Sequence, residues 1–323
     1  MADMDKYCLF SAPYSFLGDM KEEFQKAIPT KFCEIWDRAA LTPDSFLSIW
    51  IVNPGQRFVI GLEEFGLFPA LSVIITPSTA SNHIDKEDCR AKGVAVYTLL
   101  DDRQGLNTIS ASAEFTFLLL LNTLRRPDVV IQEVAAGRWR ENEEMLRGQE
   151  LNGRQVGLVG MGRIGQRLAK WCSAFEAKVS YYDPYVTFPD YPQRPLEQIF
   201  SESDIVCICC ALTPKTTGMI DKSLLRRLKH NASFINTSRG EVLREEDLVE
   251  VLKERHDIKV ALDVLSAEVT GNQFKSALIA LHKQGRVVIS PHIAGATVES
   301  QTKAAAIALN LLRHHDSVQI YSA

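Results

Sequence analysis

The sequence predicts an α/β protein of two domains, each built on a parallel sheet, and three observations carry that expectation. The chain has 323 residues, more than one domain of ordinary size. Short apolar runs alternate with helical stretches along nearly its whole length, the pattern of parallel strands covered by helices on both faces. Residues 155–183, QVGLVGMGRIGQRLAKWCSAFEAKVSYYD, read in turn as strand, glycine turn, helix, strand and acid. That order is expected of a dinucleotide-binding unit.

Within that unit each glycine has a separate task. Gly160 permits the tight turn, Gly162 lets the backbone approach a pyrophosphate, and Gly165 lets the helix pack closely on the strand. The free N–H groups at the start of the helix face the phosphates. Asp183 lies roughly 20 residues past the glycines, where a carboxylate can bind both ribose hydroxyls of the adenosine half.

The first hundred residues contain four candidate strands, at 7–11, 48–52, 71–76 and 94–99, with helices at 21–27, 63–68 and 85–92. Pro54 and Gly55 mark a turn after the second strand. No glycine fingerprint occurs here, so this smaller unit is not the cofactor domain. Residues 110–126 form a long apolar helix closed by Pro127, and the more polar stretch 128–150 leads into the glycine unit. Past Asp183 the chain turns rich in proline (Pro184, Pro189, Pro192, Pro195). Strands are then expected at 205–210, 233–236, 260–263 and 287–290, with helices at 221–228 and 244–254. With the two strands that flank the glycine turn, this gives a doubly wound sheet of about six strands, the Rossmann size. Residues 297–323 read as a last helix able to return to the first domain.

Composition excludes several classes. Hydrophobic residues make up 46% and charged residues 24%, which suits a soluble globular chain. A net charge of -4 and a pI near 6.0 argue against a nucleic-acid or anionic-membrane surface. No stretch approaches the roughly 18 uninterrupted apolar residues of a membrane span. The N-terminus lacks the basic start and apolar core of a signal peptide. The expectation is a cytoplasmic protein. The seven cysteines do not make a disulfide scaffold in a chain this long. Cys207 and Cys210 form a CxxC spacing inside a buried strand, where they point to opposite faces and cannot share a metal or a disulfide. No metal site is expected.

Nearly every informative polar residue follows a predicted strand, where ligands bind in open α/β sheets. Asn236-Thr237-Ser238-Arg239-Gly240 closes one strand and Asp263 the next, with Glu268 on the loop beyond. Pro291-His292-Ile293-Ala294-Gly295 follows the last strand, and Pro291 keeps Ser290 extended. Arg239 offers a fork of donors suited to a carboxylate. Its position equally suits a surface arginine. A loop histidine such as His292, taken singly, is more often a hydrogen-bonded bystander, and Glu268 alone would be a solvated acid. Together, an imidazole able to exchange a proton near neutral pH, a carboxylate to orient it and an arginine for the substrate form a coherent site beside a nicotinamide.

At this point the chain resembles the D-isomer-specific 2-hydroxyacid dehydrogenases. The resemblance covers most of the sequence and is densest over 110–297. Its landmarks are GxW at Gly137–Trp139, Leu151-Asn152-Gly153, GLVGMGRIGQRLA, ALTPKTTGMI (211–220), FINTSRGEV (234–242), ALDVLSAE (261–268) and SPHIAGAT (290–297). It implies a Rossmann doubly wound parallel sheet inserted into a smaller flavodoxin-like α/β substrate domain. Residues 1–104 and 297–323 would form the substrate domain and 105–296 the NAD-binding domain.

The same resemblance implies roles. Arg239 would bind the substrate carboxylate and the carbonyl under reduction. His292 would give that oxygen its proton, and Glu268 would pair with His292. Arg163 and Ile164 would contact the pyrophosphate, Asp183 the ribose, Thr237 and Ser238 the nicotinamide half, and Asp263 the carboxamide. Thr213 and Gly295 would complete the cofactor contacts, and Ser78, Thr79 and Ala80 would meet the substrate. Asp183 favours NAD over NADP, since its carboxylate would repel a 2′-phosphate and no arginine follows it directly.

Departures from the family pattern concentrate in the first domain. Relatives carry a glycine-bearing loop of the GxGxDxID kind, whose N–H groups hold the substrate carboxylate. Here Ser78 and Ala80 replace the glycines and Asn82 the aspartate. Ala80 tolerates positive φ poorly, so a reshaped loop is expected. Phe115 and Cys209 stand where relatives often have histidine. The expected activity is NAD-dependent interconversion of a small anionic 2-oxo acid and a D-2-hydroxy acid, in a homodimer joined through residues 110–151. An NAD-sensing corepressor-like scaffold and a dehydrogenase of formate- or phosphite-like anions stand as alternatives.

Overall fold

The computed structural model describes residues 6–315 and divides into two compact units. One comprises residues 6–109, Glu268–Asn272 and 296–315; the other is Ser110–Ala267 with Gln273–Gly295.

The first unit carries a five-stranded parallel sheet of β1 (Tyr7–Phe10), β2 (Thr30–Phe32), β3 (Leu47–Ile51), β4 (Val73–Thr76) and β5 (Ala95–Thr98). Their order is β2-β1-β3-β4-β5, the flavodoxin-like winding. Four strands fall where apolar runs predict them. β2 is the addition. It has three residues, Thr30-Lys31-Phe32, and forms an edge beside β1, so it needs no apolar run of its own. The helix Val298–His314 packs in this unit. Its Ala305, Ala308, Leu309 and Leu312 join the core formed by Phe10, Phe24, Ile49 and Ile75. The end of the helix expected over 297–323 lies outside the described residues.

The second unit carries six parallel strands: β6 (Gln155–Val159), β7 (Lys178–Tyr182), β8 (Ile205–Ile208), β9 (Ser233–Asn236), β10 (Lys259–Leu262) and β11 (Val287–Ile289). The order is β11-β10-β9-β8-β6-β7. A parallel bridge between Tyr181 and Gln193 adds a further edge pairing beside β7. With that bridge as the third crossing, the order becomes the 3-2-1-4-5-6 of a Rossmann sheet, with β11 as a seventh strand. The flanking prolines explain why only a bridge remains, for Pro192 and Pro195 have no N–H to give a ladder.

Side chains along each strand alternate between two cores, as period-2 geometry requires. Val206, Ile208, Phe234, Val260 and Leu262 face one layer with Leu248 and Val251, while Ile205, Cys207, Ile235 and Ala261 face the other with Leu120 and Leu168. β8 ends at Ile208 rather than continuing to Cys210. Cys207 and Cys210 still lie in opposite layers, and all seven cysteines are free.

The long apolar helix is Ala111–Arg125. Arg126 then takes a left-handed turn at φ 48°, and Pro127 opens a second helix, Pro127–Ala135. Proline suits the first helical position because its missing N–H has no intrahelical partner there. No helix among the described residues is long and apolar enough to cross a membrane.

Candidate active site

All six strands of the second sheet stop on one row. Pairing brings Tyr182 beside Val159, Val159 beside Ile208, Ile208 beside Asn236, Asn236 beside Leu262, and Leu262 beside Ile289. The next residue on each strand is therefore Asp183, Gly160, Cys209, Thr237, Asp263 or Ser290. Most residues singled out by sequence leave the sheet from this carboxyl edge, the ligand-binding edge of an open α/β sheet.

The glycine turn separates structural glycines from one that borders open space. Gly160 has φ +103°, and a Cβ there would lie 2.7 Å from the Cys210 nitrogen. A Cβ on Gly165 would lie 2.2 Å from the Gly160 oxygen. Gly162 meets nothing within 4 Å. It precedes the helix Arg163–Ala174, whose first N–H groups receive no side-chain cap from it. Clear space before an uncapped helix start fits a pyrophosphate. The adjoining Arg163 is half-buried, and burial with the nearby Arg167 lowers its pKa; an anion would relieve both effects. Ile164 follows it on the helix and packs against the core.

Asp183 has a structural task besides the expected one. Its Oδ2 accepts from the Met161 N–H at 2.8 Å, and its Oδ1 accepts from Tyr185 and Val186 at 2.9 and 3.1 Å. It thus ties the second strand to the glycine turn. A carboxylate has about four acceptor positions, which leaves capacity for a ribose hydroxyl.

The Thr237–Arg239 turn is built by Asn236, a fully buried residue whose importance the sequence did not single out. Its Oδ1 accepts from the Ser238 N–H and hydroxyl at 3.0 and 2.9 Å, and its Nδ2 donates to the Arg239 carbonyl at 3.0 Å. The Thr237 hydroxyl meets that of Thr116, on the long apolar helix, at 2.6 Å. Arg239 leads into Gly240, where a Cβ would lie 2.1 Å from the Leu265 carbonyl carbon. The chain after Arg239 thus lies directly against the chain after Asp263.

Asp263 is the second organiser. It is 1% exposed and accepts from the Ser290 hydroxyl, from Ile293 N–H at 3.1 Å and from Ala294 N–H at 2.8 Å. Burial raises its pKa, and these hydrogen bonds, with the nearby His292, oppose the rise. The cradle grips both sides of His292. The His292 N–H donates to the Ser290 carbonyl at 3.0 Å across Pro291, and His292 sits in the left-handed region at φ 54°. Such a conformation costs a non-glycine residue roughly 1–3 kcal/mol and clusters at functional sites. Gly295 ends the segment, with a Cβ there 3.4 Å from the Ser112 hydroxyl.

Other candidates do not directly follow a strand of this sheet. Glu268 belongs to the segment Glu268–Asn272, which clusters with the first unit. Buried Glu245, not singled out in the sequence, pins the chain on both sides of that segment, accepting from Ser266 N–H and from the Ser276 hydroxyl. Thr213 is exposed and bonds within its own turn, its N–H donating to the Thr216 hydroxyl at 2.7 Å.

In the first unit, Ser78, Thr79 and Ala80 are half-buried beyond the end of β4. The Ala80 N–H donates to the Ser78 hydroxyl oxygen at 3.1 Å. The described non-glycine residues with positive φ are Arg126, Glu176, Asn231 and His292, so residues 78–82 contain no left-handed turn. The loop is shaped without glycine. Of the other departures, Phe115 packs on the core beside Leu119, and Cys209 is half-buried with burial pushing its thiol pKa well up. Among the described residues no cluster of three His, Cys, Asp or Glu side chains is placed to hold a metal ion.

Comparison with known proteins agrees with this geometry. Residues 117–294 match the family model of the D-isomer specific 2-hydroxyacid dehydrogenase NAD binding domain. A glyoxylate reductase of Thermofilum pendens is 36% identical over 77% of this chain and 73% of its own. The mouse glyoxylate reductase/hydroxypyruvate reductase is 33% identical over 75% of this chain and 73% of its own. In fold, the chain is similar to the D-lactate dehydrogenase of Aquifex aeolicus solved with NAD and lactic acid. That similarity has a TM-score of 0.79 at 23% identity and covers 95% of this chain and 94% of the other. The chain belongs to the D-isomer-specific 2-hydroxyacid dehydrogenases, NAD-dependent oxidoreductases that interconvert 2-oxo acids and D-2-hydroxy acids.

Proposed function

We propose that this chain reduces short 2-oxo acids of the glyoxylate and hydroxypyruvate class to the corresponding 2-hydroxy acids, the D-isomer where the product is chiral, using NADH. The observation that carries the reading is the cradle of Asp263, which fixes His292 in a strained conformation at the carboxyl edge of the sheet. Relatives named as reductases of those two acids support the substrate class and favour it over the scaffold and the formate- or phosphite-like readings.

Residue roles follow from their chemistry. When bound, the reduced nicotinamide supplies a hydride to the carbonyl carbon. Arg239 holds the substrate carboxylate and polarises the carbonyl through its donor fork. Protonated His292 gives its proton to the carbonyl oxygen as that oxygen gains charge, and takes a proton back in the reverse direction. Glu268 orients the imidazole. Gly160, Gly162, Arg163, Ile164 and Gly165 receive the pyrophosphate, Asp183 the adenosine ribose, and Thr213, Thr237, Ser238, Asp263 and Gly295 the nicotinamide half. Residues 105–296 act as the cofactor domain, and 1–104 with 297–323 as the substrate domain. Ser78, Thr79 and Ala80 receive the far end of the acid, the Ser78 hydroxyl serving where relatives use a glycine N–H.

The working form is a cytoplasmic homodimer joined through residues 110–151. The helix Pro127–Ala135 has no buried residue, and Ile131, Trp139 and Met145 are 68%, 74% and 85% exposed. Apolar groups gathered in this way mark an interface.

The activity test uses purified protein, NADH and a panel of 2-oxo acids. Turnover is expected with the two-carbon and three-carbon members. His292→Ala should lower kcat/KM by about 10²–10⁴-fold while NADH binds as before. Normal NADH binding with no turnover across the panel would sink the reading.

A further inference from the structure

The amino-terminal edge of the second sheet, opposite the catalytic row, holds a cavity of about 290 Å³. Its lining includes Arg126, Asn231, His256, Lys259 and Arg286 together with Asp257. Lys259 opens β10, so the cavity lies about 10 Å, three residue steps along the strand, from the row ending at Leu262. All these residues belong to one unit.

The charge there is not balanced from within. Asp257 is already committed. It takes Arg255 through two hydrogen bonds at 2.9 and 2.8 Å, the Asn231 N–H at 2.9 Å, and His230 at 3.1 Å. Arg286 gives its guanidinium to the His256 and Arg255 carbonyls, which are neutral. Arg126 pairs with Asp128 through two contacts of 3.4 Å on the exposed side of its guanidinium. Lys259 donates to the Gln149 amide oxygen at 3.0 Å, also neutral. Burial, then the nearby Arg154 and Arg126, lower the pKa of that ammonium. Lys259 and Arg286 are half-buried and, among the described residues, meet only neutral oxygens; such cations destabilise the chain unless something compensates them.

We propose that this cavity is a second anion site, taking a phosphate group, free or as a small phosphomonoester, with Lys259 and Arg126 as its charged contacts. A doubly charged tetrahedral anion uses several convergent donors, and Lys259, Arg126 and the edge of Asn231 provide them. The volume admits a phosphate with a small organic group. The site is separate from the glycine turn, so it binds with the cofactor in place.

The test is calorimetric titration of the whole protein, saturated with NADH to fill the glycine turn, with inorganic phosphate and separately with glycerol phosphate. One anion should bind per chain. Lys259→Met and Arg126→Gln should each weaken it by about tenfold or more, with NADH affinity unchanged. Lys259→Met should also raise the melting temperature in phosphate-free buffer, because it removes a half-buried charge. Equal binding of both anions assigns the site to the phosphate group itself, and tighter glycerol phosphate assigns it to a phosphomonoester. Binding that survives both substitutions, or no binding by the wild type, would overturn the proposal.

Discussion

At the scale of single residues, the glycines and the buried polar groups divide the work. Gly160, Gly165 and Gly240 are fixed by backbone that passes too close for a Cβ, whereas Gly162 faces open space. Gly240→Ala should therefore destabilise by about 2–4 kcal/mol, since neither backbone segment can yield without strain. Urea unfolding checks this, and a variant within about 0.5 kcal/mol of wild type would mean that the Leu265 segment moves freely. The fingerprint glycines were legible because their spacing is itself the signal. Asp263 and Glu245 differ. Their hydrogen bonds join segments as far as 31 residues apart, and nothing local distinguishes a hub from a solvated side chain. Asp263 was singled out because it ends a strand and through the family resemblance, but its grip on the His292 segment was not.

At the scale of elements, the strands with long apolar runs were legible and the marginal ones were not. β2 has three residues, one of them exposed, and the bridge at Gln193 lies among prolines that argue against any strand. The helix Pro127–Ala135 was missed because proline was read as a stop. The same residue both ends one helix and begins the next, since Arg126 turns left-handed between them. Connections between elements also rest on single groups. Asp257 joins the end of Glu245–Glu254 to the turn before β9, and Arg255 pulls its pKa far below the usual range. A depressed carboxylate stabilises the fold above its unfolded pKa of about 3.9, and that stabilisation is lost as pH falls toward the folded value. Asp257→Asn should thus lower stability at pH 7 by about 1–3 kcal/mol. The gap from wild type should narrow in urea unfolding below pH ~3.9. A constant gap would assign the effect to packing instead.

At the scale of the whole molecule, composition and alternation were enough for the class, and motif order for the family. Strand order was readable only through the resemblance, because parallel pairing depends on contacts that no local pattern records. Assembly is the property tested at this scale. Trp139→Glu with Ile131→Glu should convert a dimer into a monomer in sedimentation analysis without loss of helical content. If the wild type already sediments as a monomer, the interface assigned to residues 110–151 fails.

The common stopping row of the second sheet also governs which changes in length the chain tolerates. Six strands in step deliver six connections to one plane, so a substitution inside a strand alters packing locally, whereas a deletion changes timing. Removing one residue from β9 would draw Arg239 back by about 3.3 Å and turn Asn236 toward the opposite layer, while Asp263 and His292 stayed in place. Changes of length in this unit should therefore disturb the row least in connections at the opposite, amino-terminal edge. There the turn between Ala174 and Lys178 can lengthen without putting the carboxyl edge out of phase.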